Sequence, residues 1–187
     1  MLDWVDQTPK CIQQGNSGSI FKVHCVDFGS AIYIKKQFKE GKCIQKFIKE
    51  VEYQQRASER GIAPNIVDIS LGVPGLCYKK QCEGPFFVME YCELPLLDFM
   101  HSQGGLFDYQ LEKIQSLYAD LDRIKIIHND ANLANIMVSM KDGCTVPRFN
   151  IIDFGMAKDG SSNTHSFRLL KFRIKRELAF IDTPSKS

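Results

Sequence analysis

Ile124–Gly155 reads IKIIHNDANLANIMVSMKDGCTVPRFNIIDFG, and the rest of the chain can be read outward from it. An apolar approach ends at His128-Asn129-Asp130, and five residues beyond that aspartate stands Asn135. The apolar Ile136-Met137-Val138 follows, Lys141-Asp142-Gly143 marks a turn, and a second apolar run leads to Asp153-Phe154-Gly155. Two short strands joined by a hairpin would bring Asp130, Asn135 and Asp153 to one mouth. Oxygen donors of that kind suit a hard cation and a phosphate chain. Magnesium takes one or two carboxylates plus phosphate oxygens, which leaves a third carboxylate to orient a hydroxyl. The plainer reading is two polar loops at strand ends.

The pattern H-x-D-x-x-x-x-N followed by D-F-G resembles the catalytic and magnesium-binding loops of the protein-kinase superfamily. The resemblance implies an α+β bilobal fold. Residues 1–91 would form a small antiparallel-sheet N-lobe, and residues 92–187 a reduced helical C-lobe, with ATP and Mg²⁺ in the cleft between them. It implies Asp130 as the catalytic carboxylate and Asn135 and Asp153 as the metal ligands. A phosphate lid, a lysine and a glutamate should then precede this stretch, in that order.

Cys11–Val23 reads CIQQGNSGSIFKV. Laid against the glycine-rich loop G-x-G-x-x-G-x-V it aligns Gln13, Gly15, Gly18 and Ile20, so two of the three glycines are present. Glycine lets backbone N–H groups approach phosphate oxygens; Gly-Asn-Ser-Gly is equally an ordinary hairpin turn. Fifteen residues after Ile20 comes Lys35, on the β-branched run Ala31-Ile32-Tyr33-Ile34-Lys35-Lys36. By resemblance Lys35 holds the α- and β-phosphates and takes part in catalysis, while Lys36 is an exposed strand lysine. Tyr33 then stands where kinases usually carry the alanine that lines the adenine pocket. Ile44, Phe47, Ile48 and Val51 fall at helical spacing and Gly61 stops the run, so a helix over 44–60 is expected. Either Glu50 or Glu52 would pair with Lys35, and Glu50 is preferred. Ile66–Lys80 reads as two strands about a turn. Pro85–Tyr91 resembles the strand entering the kinase hinge, with Met89 as gatekeeper and the Glu90 and Cys92 backbones against adenine.

Leu111, Ile114, Leu117, Leu121 and Ile124 make one stripe of a helix over 108–124 that feeds the catalytic loop. A second amphipathic helix carries Phe167, Leu170, Ile174, Leu178 and Ile181. Its polar face is basic (Arg168, Lys171, Arg173, Lys175, Arg176). That face is read as solvated; contact with a partner protein or RNA is the sharper alternative, and nucleic acid enters only there.

The 187 residues carry 44% hydrophobic and 25% charged side chains and a formal net charge of +2, which gives no strong attraction to nucleic acid or membrane. No apolar run approaches the ~18 residues of a membrane span. The first ten residues lack the apolar core of a secretory signal. Seven cysteines without a CxxC pair read as free thiols in a reducing, cytoplasmic setting.

Several departures narrow the resemblance. No Ala-Pro-Glu follows Asp153-Phe154-Gly155, Asn129 replaces the arginine of H-R-D, and Asn132 replaces the lysine typical of Ser/Thr kinases. Control by activation-loop phosphorylation is therefore not expected. In these respects the chain is similar to the minimal atypical members, the RIO kinases and the small kinase subunit of the KEOPS complex. A large DNA virus is a source that such compactness suits, and host cytoplasm would then be the location. A minimal serine/threonine protein kinase with autophosphorylation and a protein substrate or partner is the favoured function. Small-molecule phosphotransfer, partner-dependent ATP hydrolysis and a non-catalytic ATP-binding scaffold are the alternatives. The oligomeric state is left open.

Overall fold

The computed structural model describes residues 2–7, 11–14, 18–39, 43–71, 84–140 and 146–181, without the Phe28 side chain. Gly15, the turn at 141–143 and the strand expected after position 71 lie outside these residues. The fold is α+β and divides into two compact units, Met1–Gln55 with Asn65–Tyr91, and Arg56–Pro64 with Cys92–Ser187.

The first unit is an antiparallel sheet with one helix. Its strands are β1 (Trp4–Asp6), β2 (Gln13–Gln14), β3 (Gly18–Cys25), β4 (Ile32–Phe38), β5 (Ile66–Ser70) and β6 (Phe86–Glu90). They run in the order β1-β3-β4-β6-β5, with β2 also on β3. The helix α1 (Ile44–Ser58) intervenes between β4 and β5. Strand alternation sorts the side chains onto two faces. Phe38, Phe47, Val51, Phe87 and Met89 form one core cluster with Ile34 and Ile66 packed against it, so α1 lies on that face. Val23, Phe86 and Val88 form the other, joined by Trp4, Phe21 and Tyr33. The short β1 strand was not foreseen. It is held by Trp4, whose indole Nε1–H donates to Asp68 at 2.7 Å and whose ring meets Tyr33 edge-on at 5.2 Å.

Beyond Arg56–Pro64, the second unit continues with β7 (Leu94–Pro95) and α2 (Leu96–Gln103), a helix also absent from the sequence reading. There follow α3 (Asp108–Arg123), β8 (Ile126–Ile127), β9 (Ile136–Ser139), β10 (Arg148–Ile151), β11 (Lys158–Asp159) and α4 (Thr164–Ile181). β9 and β10 pair antiparallel from Ile136↔Ile151 to Arg148↔Ser139, the hairpin that the apolar runs require. β8 pairs with β11. α3 buries Ile114, Tyr118 and Leu121, and α4 buries Leu170 and Ile174. Among the described residues no helix is long and apolar enough to cross a membrane.

Candidate active site

The sheet unit presents its lysines on opposite faces. Lys36 shares the α1 face with Ile34 and Phe38, and its ammonium forms a buried ion pair with Glu50 of α1. Lys35 points the other way, 3.0 Å from the Asp6 carboxylate and over the rings of Phe21 and Phe86. The expected Lys35–Glu50 pair is therefore corrected to Lys36–Glu50. The physical reason is the strand's period of two: a one-residue slip sends a side chain to the other face of the sheet. Glu50 is the inward glutamate at 3% exposure, whereas Glu52 is exposed. Tyr33 moves with Lys35 onto the outer face, so Ile34, opposite Met89 in register, occupies the place that Tyr33 was expected to hold.

Met89 is buried in the α1-face cluster, and its sulfur accepts a contact from Gln54 Nε2 at 3.8 Å. Glu90 donates its backbone N–H to Asn65 O at 3.0 Å, while its carboxylate accepts from the Asn65 backbone N and from Nδ2. That backbone N–H is thus engaged inside the unit. Gly18 has a structural reason of its own, because a Cβ there would come within 2.1 Å of the Gln37 carbonyl oxygen on β4. Its glycine is demanded by strand approach whether or not phosphate binds nearby.

In the helical unit the expected residues are tied together through one backbone. Ile152 donates its N–H to the Asn135 carbonyl at 2.9 Å, and its own carbonyl faces His128 Nε2 at 2.9 Å. Asp153 is the next residue, so the hairpin end joins the Asp130 loop and the Asn135 turn at that point. Asn135 Nδ2 donates to the Asp130 carboxylate at 2.9 Å and to the Asp130 carbonyl at 3.1 Å. An amide fixed by its nitrogen has its oxygen Oδ1 oriented as well, as a hard donor beside a carboxylate. Asp153 is exposed and stands in the left-handed region (φ 63°, ψ 69°), as does Asn129 at φ 62°. Asn and Asp tolerate this conformation best among non-glycine residues, and such backbone concentrates at functional loops. Cys92 is buried, its sulfur 3.6 Å from Asn150 Nδ2. Asn132 accepts from Ala134 N–H at 3.2 Å and so caps the turn that carries Asn135.

His128 is fully buried, edge-on to Phe154 with ring centres 5.0 Å apart. Burial pushes its imidazole below the usual range, against the opposing pull of the Ile152 carbonyl and of Asp130 and Asp153. The neutral ring then carries its proton on Nε2, toward Ile152 O. Tyr118 on α3 is buried too, and desolvation, then the Asp130 charge, raises its phenol well above the ordinary value.

Sequence reasoning missed Asn163. It is 1% exposed, and its side chain joins three segments. Nδ2 donates to Asp122 Oδ1 and to Ile126 O, both at 2.7 Å, while Oδ1 accepts the His128 N–H at 3.0 Å. Its backbone carbonyl accepts the first helical bond of α4, from Phe167 at 2.8 Å. An Asn just before an amphipathic run signals a helix start, but nothing in that signal says that its side chain turns back to hold the His128 backbone.

No protein-family model matches the chain. Over 166 residues it is 24% identical to the serine/threonine-protein kinase/endoribonuclease IRE2 of Homo sapiens, in an alignment that covers 86% of this chain and 17% of that protein. The chain spans about a sixth of the length of this relative, and the likeness is a distant one to a kinase.

Proposed function

We propose that the protein is an ATP- and Mg²⁺-dependent phosphotransferase, a minimal serine/threonine protein kinase that also phosphorylates itself and acts in the cytoplasm on a protein substrate or partner. The observation that carries this reading is the junction at Ile152, which ties Asp130, Asn135 and Asp153 into one loop cluster. Its donor set fits the group implied: hard oxygens from a carboxylate in left-handed backbone and from an amide whose orientation is fixed. Asn135 and Asp153 would hold magnesium. MgATP, when bound, supplies the transferable phosphoryl group and the cation that offsets its charge. Lys36, held by Glu50, is the lysine we assign to the nucleotide phosphates, in place of Lys35. Gly15 and Gly18 are assigned to the phosphate lid, and Met89, Glu90 and Cys92 to the adenine side. Asp130 orients the acceptor hydroxyl and takes its proton late. The printed name of the distant relative includes a serine/threonine-protein kinase, which supports this reading.

Transfer of label from γ-labelled ATP to the protein itself and to casein tests the reading. Wild type should label both, and Asp130→Asn should lose ~10²–10⁴ in turnover, the usual size of a general-base contribution. Turnover within about threefold of wild type for Asp130→Asn would leave a nucleotide-binding scaffold as the better account. Label appearing only as free phosphate would favour an ATPase. Asn129 cannot form the arginine–phosphate pair of loop-regulated kinases, so phosphatase-treated protein should work as fast as untreated protein.

A further inference from the structure

One face of α3 carries Lys113, Ser116, Leu117, Asp120, Arg123 and Ile124, spaced three or four residues apart so that they stack along the helix. Two hollows open on this face. One, of about 350 Å³, is bounded by Lys113, Ser116 and Leu117 on the helix and by Gly61 and Val146–Phe149 across from it. The other, of about 310 Å³, is bounded by Arg60, Asp120, Arg123 and Ile124. Arg60 and Gly61 are consecutive and one belongs to each hollow, so the two are neighbours along a groove. Asp130, Asn135 and Asp153 line neither.

The groove has an apolar floor and an unbalanced charge. Leu117, Pro147, Phe149 and the 54% exposed Val146 supply the floor. Arg60, Lys113 and Arg148 make no ion pair among the described residues, while Arg123 is paired with Asp120. Arg148 is the informative one. It is half-buried on β10, so part of its hydration is already lost, yet no carboxylate among the described residues meets it. A partly desolvated guanidinium gains most from an incoming bidentate oxyanion.

We propose that this face of α3 is a docking groove for an acidic segment of a partner protein. Carboxylate or phosphorylated side chains of that segment meet Arg148, Lys113 and Arg60, and an interleaved apolar side chain enters the hollow floored by Leu117 and Pro147. A second copy of the same surface would set these cations against one another. Single-stranded nucleic acid needs exposed rings to stack on, and the aromatic ring here, Phe149, is 4% exposed. The inference goes beyond phosphotransfer and does not rest on it.

The test pans a phage-displayed library of random dodecapeptides on the full chain, then measures the enriched peptides by fluorescence anisotropy. Enrichment of acidic residues flanking an apolar one is expected, with affinity falling at least ~10-fold on charge reversal in Lys113→Glu/Arg148→Glu. Arg60→Glu/Lys113→Glu, both at exposed positions, serves if the first pair fails to fold, as thermal unfolding would reveal. Peptides with their acids exchanged for lysine should recover binding to the reversed variants. The proposal is overturned if no acidic consensus emerges, or if the best peptide binds wild type and both variants within twofold. Tighter binding of oligouridylate than of any peptide, lost in the same variants, would overturn it in favour of nucleic acid.

Discussion

Between Lys35 and Lys36 the chain advances by one residue, and the pleat of β4 sends the two ammonium groups to opposite faces of the sheet. Lys36 meets Glu50 on the α1 face, and Lys35 meets Asp6 on the other. The buried pair is the costlier to break, because removing one partner leaves an uncompensated charge, with a penalty of about 3–5 kcal/mol. The Lys35–Asp6 pair has a carboxylate 38% exposed, and pairs open to solvent contribute far less. Lys36→Met should therefore destabilise the fold and abolish phosphotransfer, whereas Lys35→Met should leave turnover within a few-fold of wild type. Lys36→Met paired with Glu50→Gln should regain stability without regaining turnover, which separates the structural role from the chemical one. If Lys35→Met were the silent enzyme and Lys36→Met the active one, the assignment on β4 would reverse. Sequence alone could not make this choice. Two adjacent lysines satisfy the same spacing, and the deciding fact, which face α1 covers, is a tertiary one.

At the scale of elements, the β9–β10 hairpin was legible because two apolar runs flank an evident turn and end in residues with a shared chemistry. The hairpin's support was not. Asn163, Asp122 and the backbone of His128 come from a loop, a helix end and a strand end, and polar residues in such segments look alike in sequence. Asn163→Ala would leave the Ile126 carbonyl and the His128 N–H buried without their partner. At about 1–3 kcal/mol for each such group, a loss of roughly 2–6 kcal/mol in urea unfolding is expected, with turnover falling as the Asp130 loop loses its anchor. His128 adds a pH dependence whose sign follows from burial. Its folded-state pKa lies below the ordinary 6.5, so as pH falls past that value the unfolded chain takes up a proton that the folded one refuses. Stability should be level above about pH 7 and decline below 6.5, until the folded pKa is reached. His128→Phe should flatten the part of the decline that the carboxylates do not supply. Equal slopes for wild type and variant between pH 7 and 5.5 would rule out His128 as the titrating group.

For the molecule as a whole, the proposed nucleotide contacts divide between the two units. Lys36 and Glu50 belong to the sheet unit, and Asn135 and Asp153 to the helical one. Binding to the folded state contributes about 2.7 kcal/mol at 100 times the dissociation constant. For a chain of this length that corresponds to a rise of roughly 5–10 °C in Tm. Millimolar MgATP should therefore raise Tm, and ATP with EDTA should raise it less, since Asn135 and Asp153 then have no cation to share with the phosphates. The rise should vanish in Asp153→Ala and in Lys36→Met alike, though the two residues sit in different units. It should persist in Asp130→Asn, because that carboxylate is assigned to the acceptor hydroxyl and not to the nucleotide. A rise that survives Asp153→Ala but not Lys36→Met would mean that the sheet unit binds nucleotide by itself. The Asp130–Asn135–Asp153 cluster would then need another explanation than phosphoryl transfer.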